Sequence, residues 1–332
     1  MDKIKFAIPK GSLEKATAEF FSKSGFKIGG TERTYRPSIN DPQIELKVLR
    51  PQEIPVFVSE GLQDLGITGE DWVKENRADV EVLQNLEYGK IRLVIAVPKT
   101  CENATMGEFM ESIWSQGKNF RISTEYLNIA SEYLKSTPEY KKRFGDADPM
   151  LVTPWWKKGD NTRAKIFLSF GATEAKPPEN SDAIMDVTET GTTIEANNLK
   201  IIDTVMKSSA ILIANKKAME DPEKREKIHD ILALLKGVVD GSKRIHIFVN
   251  VKKTNLQRLL TELPALKNPT ISPLADENWV SVNTVIEKDC LIELLPKIRK
   301  LAQGLVVYEP RQVLALDEIG KRVENPCKGK AK

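Results

Sequence analysis

Short apolar runs alternate with polar turns and amphipathic stretches through the first part of the chain. Ile4-Lys5-Phe6-Ala7-Ile8 reads as a buried strand running into Pro9-Lys10-Gly11-Ser12. The helix after it sets Leu13, Ala16, Phe20 and Phe21 on one side and stops at Gly25. Ile44 to Leu49 alternates as a strand and passes through Arg50-Pro51-Gln52-Glu53-Ile54-Pro55 into a helix ending at Gly61. Asp64-Leu65-Gly66-Ile67-Thr68-Gly69 is a short buried strand with a glycine turn, and Glu70-Asp71-Trp72-Val73 opens the next helix. Repeated β-turn-α units of this length predict a parallel sheet with helices on its faces. Ligands of such sheets sit at the carboxyl ends of the strands. On this reading Lys10, Arg50, Asp64 and Asp71 fall at those ends. Asp64 and Asp71 also read as caps or surface charges, and Lys10 as the exposed residue of a routine turn.

Arg92 to Pro98 is a strand that carries the crossover into a second lobe, whose core starts at Phe120 to Thr124 with a helix from Tyr126 to about Leu134. From Ser136 to Arg163 the chain is polar, proline-marked and weakly periodic. It reads as a packed insertion or subunit contact, with Pro154-Trp155-Trp156-Lys157-Lys158 as an alternative stacking surface. Ile166 to Glu174 is a strand with a small-residue turn. Ile201 to Val205 and Ala210 to Ala214 are strands expected to return the chain to the first lobe, and a charged helix from about Asp221 to Val239 leads out of it. Beyond Gly241 the order becomes strand (Arg244 to Asn250), helix (Asn255 to Leu263), strand (Thr270 to Leu274), strand (Trp279 to Ile286), helix (Asp289 to Ala302), strand (Leu305 to Tyr308). That βαββαβ order predicts a ferredoxin-like unit, of a sort used for sensing small ligands.

One stretch concentrates candidate chemistry. Ala183-Ile184-Met185 reads as a strand, followed by Asp186-Val187-Thr188-Glu189-Thr190-Gly191-Thr192-Thr193-Ile194-Glu195, and Ala196-Asn197-Asn198-Leu199 can start a helix. Strand, Thr- and Gly-rich turn, then helix is the geometry that cradles a phosphate. Gly191 permits the tight turn, successive N–H groups share a concavity, and the Thr188, Thr190, Thr192 and Thr193 hydroxyls add donors. Asp186 at the strand end is placed for a metal or a sugar hydroxyl. The same residues also read as a Thr-rich turn with an ordinary N-cap.

At 332 residues two or three domains are expected. Composition is that of a globular protein, hydrophobic 40% and charged 29%, with no apolar run long enough to cross a bilayer. The start Met1-Asp2-Lys3-Ile4-Lys5-Phe6 has no long apolar segment, so a cytoplasmic location is expected. Cys101, Cys290 and Cys327 are odd in number and far apart, and read as free thiols. A net charge of +3 gives no case for nucleic-acid binding, and the basic Lys328 to Lys332 reads as a solvated end. With His229 and His246 as the only histidines, chemistry must rest on carboxylates, Lys and Arg, hydroxyls and backbone amides.

Pro9-Lys10-Gly11-Ser12-Leu13, the Arg50 to Pro55 turn, Asp64 to Asp71, and Asp186 to Asn197 together resemble ATP phosphoribosyltransferase. Pro269-Thr270-Ile271-Ser272-Pro273-Leu274 and Trp279-Val280-Ser281-Val282 resemble the regulatory domain of its long form. The resemblance implies an α/β core of two lobes, like type II periplasmic binding proteins, with a C-terminal ferredoxin-like βαββαβ regulatory domain. The lobes are expected at 1–95 with 206–238 and at 96–205, the regulatory domain at 241–316, and a tail at 317–332. It implies the first step of histidine biosynthesis, in which N1 of the ATP adenine displaces pyrophosphate from phosphoribosyl pyrophosphate (PRPP). It also implies Mg2+, a homo-oligomer (dimer or hexamer), and feedback inhibition by histidine.

For the residues, the likeness implies catalytic roles for Asp186, Lys10 and Arg50. PRPP falls to Asp186, Thr188, Glu189, Thr190, Gly191, Thr192 and Thr193, and metal to Asp186 and Glu174. ATP falls to Lys10, Gly11, Ser12, Arg50, Asp64, Gly69 and Asp71, and the inhibitory histidine to Asn250, Thr270 and Leu274. Phosphoribosyltransferases of the commoner fold often open their PRPP loop with two adjacent acids. Here Val187 follows Asp186, so the likeness is to this family and not to that group.

Overall fold

A computed structural model of the chain describes residues 2–30, 34–263 and 269–314. The tail 317–332, with Cys327 and the basic run from Lys328, lies outside the described residues. By its contacts the chain divides into two compact units, one of 1–4, 17–45 and 221–332 and the other of 5–16 and 46–220.

The chain opens with β1 (Ile4–Pro9), α1 (Glu14–Ser24), a short hairpin of β2 (Ile28–Gly29) and β3 (Ser38–Ile39), and β4 (Ile44–Leu49). Next come α2 (Ile54–Ser59), β5 (Leu65–Gly69), α3 (Glu70–Asn76) and β6 (Glu81–Asn85). The middle of the chain supplies β7 (Ile91–Pro98), α4 (Met106–Ser115), β8 (Phe120–Thr124), α5 (Leu127–Ser136) and α6 (Pro138–Phe144). It continues through β9 (Pro149–Val152), β10 (Lys157–Lys158), β11 (Asn161–Leu168), β12 (Ala183–Thr188), α7 (Thr192–Ala196) and β13 (Leu199–Ser208). Then follow β14 (Ala210–Ala214), α8 (Lys216–Glu220) and α9 (Pro222–Lys243). The last elements are β15 (Arg244–Lys252), α10 (Lys253–Glu262), β16 (Thr270–Pro273), β17 (Trp279–Glu287), α11 (Cys290–Leu301) and β18 (Ala302–Tyr308).

The first sheet has the order β4-β1-β5-β14-β6, with β1 and β5 parallel and β14 antiparallel to β5. Every residue of β5 and β14 is buried, as expected of central strands covered on both faces. Gly66 lets α2 approach, because a Cβ there would overlap Ile54 and press on Val58. Asp64 needs correction. It precedes β5, its Oδ2 accepts from Lys5 N (2.9 Å), and it therefore lies at the amino end of the strand, not the carboxyl end.

The second sheet runs β10-β9-β11-β8-β12-β7-β13, with β9, β11, β8 and β12 parallel and β7 antiparallel to both β12 and β13. The stretch 136–163 is packed, in line with one of its readings, and is built of regular elements: α6, β9, β10 and the start of β11. Its Tyr140 is fully buried against Trp114, with ring centroids 6.2 Å apart. Ile201 to Val205 does not return to the first lobe; it belongs to β13, and only β14 crosses back. The helix after the Thr-rich turn starts at Thr192, not Ala196, and Asn198 adopts φ 56° before β13 begins at Leu199. Since β7 and β13 lie wholly in this sheet, the expected boundaries at 95/96 and 205/206 fall inside strands.

The third sheet is β16-β17-β15-β18, antiparallel throughout. Ile245, Ile247, Val249 and Val251 alternate inward with Val280, Val282 and Ile286, and pack with Leu259 of α10 and Leu294 and Ile298 of α11. Order and pairing are those of a ferredoxin-like βαββαβ unit.

Candidate active site

Parallel strands end where helices begin, and in the first sheet those ends gather cations. Lys10, Gly11 and Ser12 follow β1, Arg50 and Gln52 follow β4, and Gly69, Asp71 and Trp72 form the β5–α3 junction. All of them line a cavity of about 220 Å3, completed from the second sheet and its connections by Ile91, Glu125, Tyr126, Asp186 and Ser208. Lys10 is fixed by its backbone N–H, which donates to Leu49 O (2.8 Å). Gly11 takes φ +86°, a conformation that favours glycine, and lets the chain turn from β1 toward α1.

Asp71 is buried, and its carboxylate is already engaged. Tyr126 OH donates to its Oδ2 (2.7 Å) and Ser208 Oγ to its Oδ1 (2.5 Å), while Asp71 N donates to Ser208 Oγ (3.1 Å). Trp72 stacks on Tyr126 with centroids 4.4 Å apart. Burial, then the Asp71 charge and its hydrogen bond, push the Tyr126 hydroxyl well above its ordinary value, so it stays a neutral donor. A Cβ at Gly69 would overlap the Asp71 carboxylate, which explains the glycine there. Asp71 thus forms part of the cavity wall through a fixed three-residue network.

Asp186 lies in β12 opposite Val94 of β7. Burial raises its carboxyl from 3.8 to about 6, with the charges of Glu174 and Glu125 adding to the rise. The Val187 N–H, donating to Oδ1 at 2.7 Å, and the Thr173 hydroxyl pull in the other direction. Of these carboxylates Asp186 and Glu125 line the cavity and Glu174 does not, and oxygen donors of this kind could hold a cation. A hard cation such as Mg2+ suits them, since it takes oxygen ligands and is held by one or two carboxylates with water and substrate phosphates. Among the described residues no three His, Cys, Asp or Glu side chains group to hold a metal. Asp186 and Glu174 therefore fit only as the one- or two-carboxylate share of such a shell.

The Thr-rich loop follows directly but does not line this cavity. Gly191, at φ +93°, is the N-cap of the five-residue α7, and its N–H donates to Thr188 Oγ1 (2.8 Å). The Thr190 and Thr192 hydroxyls lie 2.7 Å apart, and Thr192 and Thr193 are exposed. Glu189 lines a second cavity of about 530 Å3, together with Lys90, Arg92 and Lys207. The two cavities share Ile91 and Ser208. Asp64 is remote from both, for the reason given above. In the third sheet Asn250 pairs with Ser281, which pairs with Ser272, and Thr270 pairs with Asn283. Asn250 and Thr270 therefore share the face opposite the inward apolar set, and Leu274 follows just beyond β16.

Residues 50–237 match the family described as ATP phosphoribosyltransferase (HisG), and residues 242–311 match the HisG C-terminal domain. The chain belongs to the ATP phosphoribosyltransferase family. It has the long form, with the C-terminal domain present. An ATP phosphoribosyltransferase from Solibacter usitatus is 39% identical over 317 residues, spanning 94% of this chain and 99% of that protein. One from Koribacter versatilis is 37% identical over 318 residues, with 94% and 99% covered. Among solved structures, the ATP phosphoribosyl transferase (HisG:HisZ) complex from Thermotoga maritima superposes with a TM-score of 0.54 at 25% identity. That match covers 71% of this chain and 98% of that one.

Within this ATP phosphoribosyltransferase chain, the cavity residues that sequence reasoning missed include Gln52, Trp72, Glu125, Tyr126 and Ser208. Gln52 Nε2 donates to Glu125 Oε2 at 3.5 Å, and Gln52 Oε1 is buried without a partner among the described residues. Gln52 and Trp72 sat inside motifs already singled out. Glu125, Tyr126 and Ser208 reach the cavity through tertiary contacts between segments far apart in sequence, and no local pattern marks them.

Proposed function

We propose that the chain transfers the 5-phosphoribosyl group of PRPP to N1 of the adenine ring of ATP, releasing pyrophosphate. The observation that carries the reading is the meeting of Lys10 and Arg50, from two strand ends, with the half-buried Asp186 at one cavity. As the bond from ribose C1 to the pyrophosphate oxygen breaks, the ring gains oxocarbenium character and the leaving group gathers charge. Such a step needs positioning and charge neutralisation more than a covalent nucleophile.

Lys10 and Arg50 are basic side chains suited to the pyrophosphate or to the ATP phosphates. The loop Thr188, Glu189, Thr190, Gly191, Thr192 and Thr193 is assigned to PRPP, with its amides and hydroxyls on the 5′-phosphate. Asp186 holds ribose hydroxyls and, with Glu174, would carry the protein's share of a Mg2+ shell. Bound Mg2+ would neutralise phosphate charge. Gly11, Ser12, Gly69 and Asp71 line the nucleotide side. The third sheet is the regulatory part, with Asn250, Thr270 and Leu274 taking histidine as feedback inhibitor. The protein acts as a homo-oligomer in the cytoplasm. No helix among the described residues is long and apolar enough to cross a membrane.

Arg50→Ala tests the reading. Its kcat/KM for PRPP or for ATP should fall by about 100-fold or more, corresponding to about 2.7 kcal/mol of transition-state stabilisation. Wild-type constants for both substrates would reject the cation's role.

A further inference from the structure

Helix α5 has no cap of its own. Its N-cap residue, Tyr126, contributes no side-chain hydrogen bond to the helix. The free amides are met from another element: Asn128 N donates to Glu75 Oε1 and Ile129 N to Glu75 Oε2, both at 2.9 Å. Asn128 Nδ2 closes the contact by donating to the backbone carbonyl of Glu75 (2.9 Å). Glu75 belongs to α3, which follows β5 of the first sheet, while α5 follows β8 of the second. One turn earlier on α3, Asp71 receives the Tyr126 hydroxyl and Trp72 stacks on the Tyr126 ring. Residues four apart share a helix face, so Asp71 and Glu75 grip the start of α5 together.

We propose that Glu75 is a positioning residue for the phosphoribosyl transfer, capping α5 across the two sheets so that Glu125 and Tyr126 are held against the cavity. Two features favour this over a generic helix contact. Glu75 is only 8% exposed; burial raises its carboxyl above the ordinary value, and the Asn128 and Ile129 amides that donate to it oppose that rise, so the contact satisfies a group that burial would otherwise penalise. A carboxylate at a helix N-terminus satisfies the orphan amides and complements the helix dipole together. What it fixes is also directly useful, since Glu125 and Tyr126 both line the cavity and immediately precede α5. No other described contact between α3 and α5 has this character. The Arg77–Glu132 ion pair (2.9 Å) links the residue just past α3 to α5 but is exposed on both sides.

The inference rests on the transfer reaction proposed above. The test measures kcat and KM for ATP and PRPP in the full-length protein with Glu75→Ala, Glu75→Gln and Arg77→Ala, well below the unfolding temperature. Glu75→Ala should lower kcat/KM by about tenfold or more, because small misplacements of site residues are costly. Glu75→Gln keeps one accepting oxygen and should recover part of that loss. Arg77→Ala should stay within about twofold of wild type, as exposed pairs contribute little. Tryptophan emission, to which Trp72 contributes, should change in Glu75→Ala and not in Arg77→Ala. Wild-type constants in Glu75→Ala, or an equal loss in Arg77→Ala, would overturn the proposal. If Glu75→Ala does not fold, Glu75→Gln decides, and wild-type constants there would also overturn it. If the wild type itself released no pyrophosphate from ATP and PRPP, the proposed function would fall first and this inference with it.

Discussion

Asp186→Asn should stabilise the ligand-free protein at neutral pH while removing its turnover. The carboxyl rises from 3.8 to about 6 on folding, so between those values the folded state holds more protons than the unfolded one. Stability therefore falls as pH rises through that window, and the full cost is present above about pH 6. At 1.36 kcal/mol per tenfold change in proton affinity, the rise corresponds to about 3 kcal/mol at pH 7.5 and about half of that at pH 5. Solvent screening of a half-buried group lowers the yield, so a gain of roughly 1–3 kcal/mol and several degrees in Tm is expected. Asn keeps an oxygen to accept the Val187 N–H, now 2.7 Å from Asp186 Oδ1, so the strand end should survive. Thermal unfolding without ligands at pH 7.5 and pH 5 reads the effect, and pyrophosphate release reads the loss, expected to be about 100-fold or more. A variant no more stable than wild type at pH 7.5, or one whose gain fails to shrink at pH 5, would refute the reasoning.

Two further outcomes follow from the geometry. Because the reaction needs Asp186 ionised, kcat/KM should fall as pH drops through about 6, the value set by its burial; a flat profile from pH 5 to 8 would assign the acid limb elsewhere. Tyr140→Phe should destabilise the protein by about 1–3 kcal/mol, since Tyr140 OH donates to Ala147 O (2.8 Å) and accepts from Asn161 Nδ2 (2.9 Å) inside the core. An unchanged urea midpoint would show that the 136–163 stretch is peripheral after all.

Much of the first lobe was legible in sequence because each strand ends in a marked turn. Pro9-Lys10-Gly11 and Arg50-Pro51 close apolar runs, and both cations do reach the cavity. The third sheet was legible for the same reason: period-two alternation in Arg244 to Asn250 and Trp279 to Ile286 matches what packs inward. Asp64 misled because it precedes the strand whose far end carries Gly69, and a one-element reading does not show which end a residue occupies. The elements within 136–163 were not legible because β9 and β11 are mixed in burial, so their apolar pattern is broken. Helix α4 went unseen although it carries a usable signal. Thr105 and Glu108 form a reciprocal capping box ahead of Met106, Met110 and Ile113. Glu75 carried no local signal, since its role depends on a helix more than fifty residues away.

The most direct test of the central claim is pyrophosphate release by the purified protein with ATP, PRPP and Mg2+, each omitted in turn, followed by addition of histidine. The account predicts release that requires all three and is suppressed by histidine. Release without ATP or without PRPP, or none with all three present, would contradict the transfer reaction. Release indifferent to histidine would remove the regulatory role assigned to Asn250, Thr270 and Leu274.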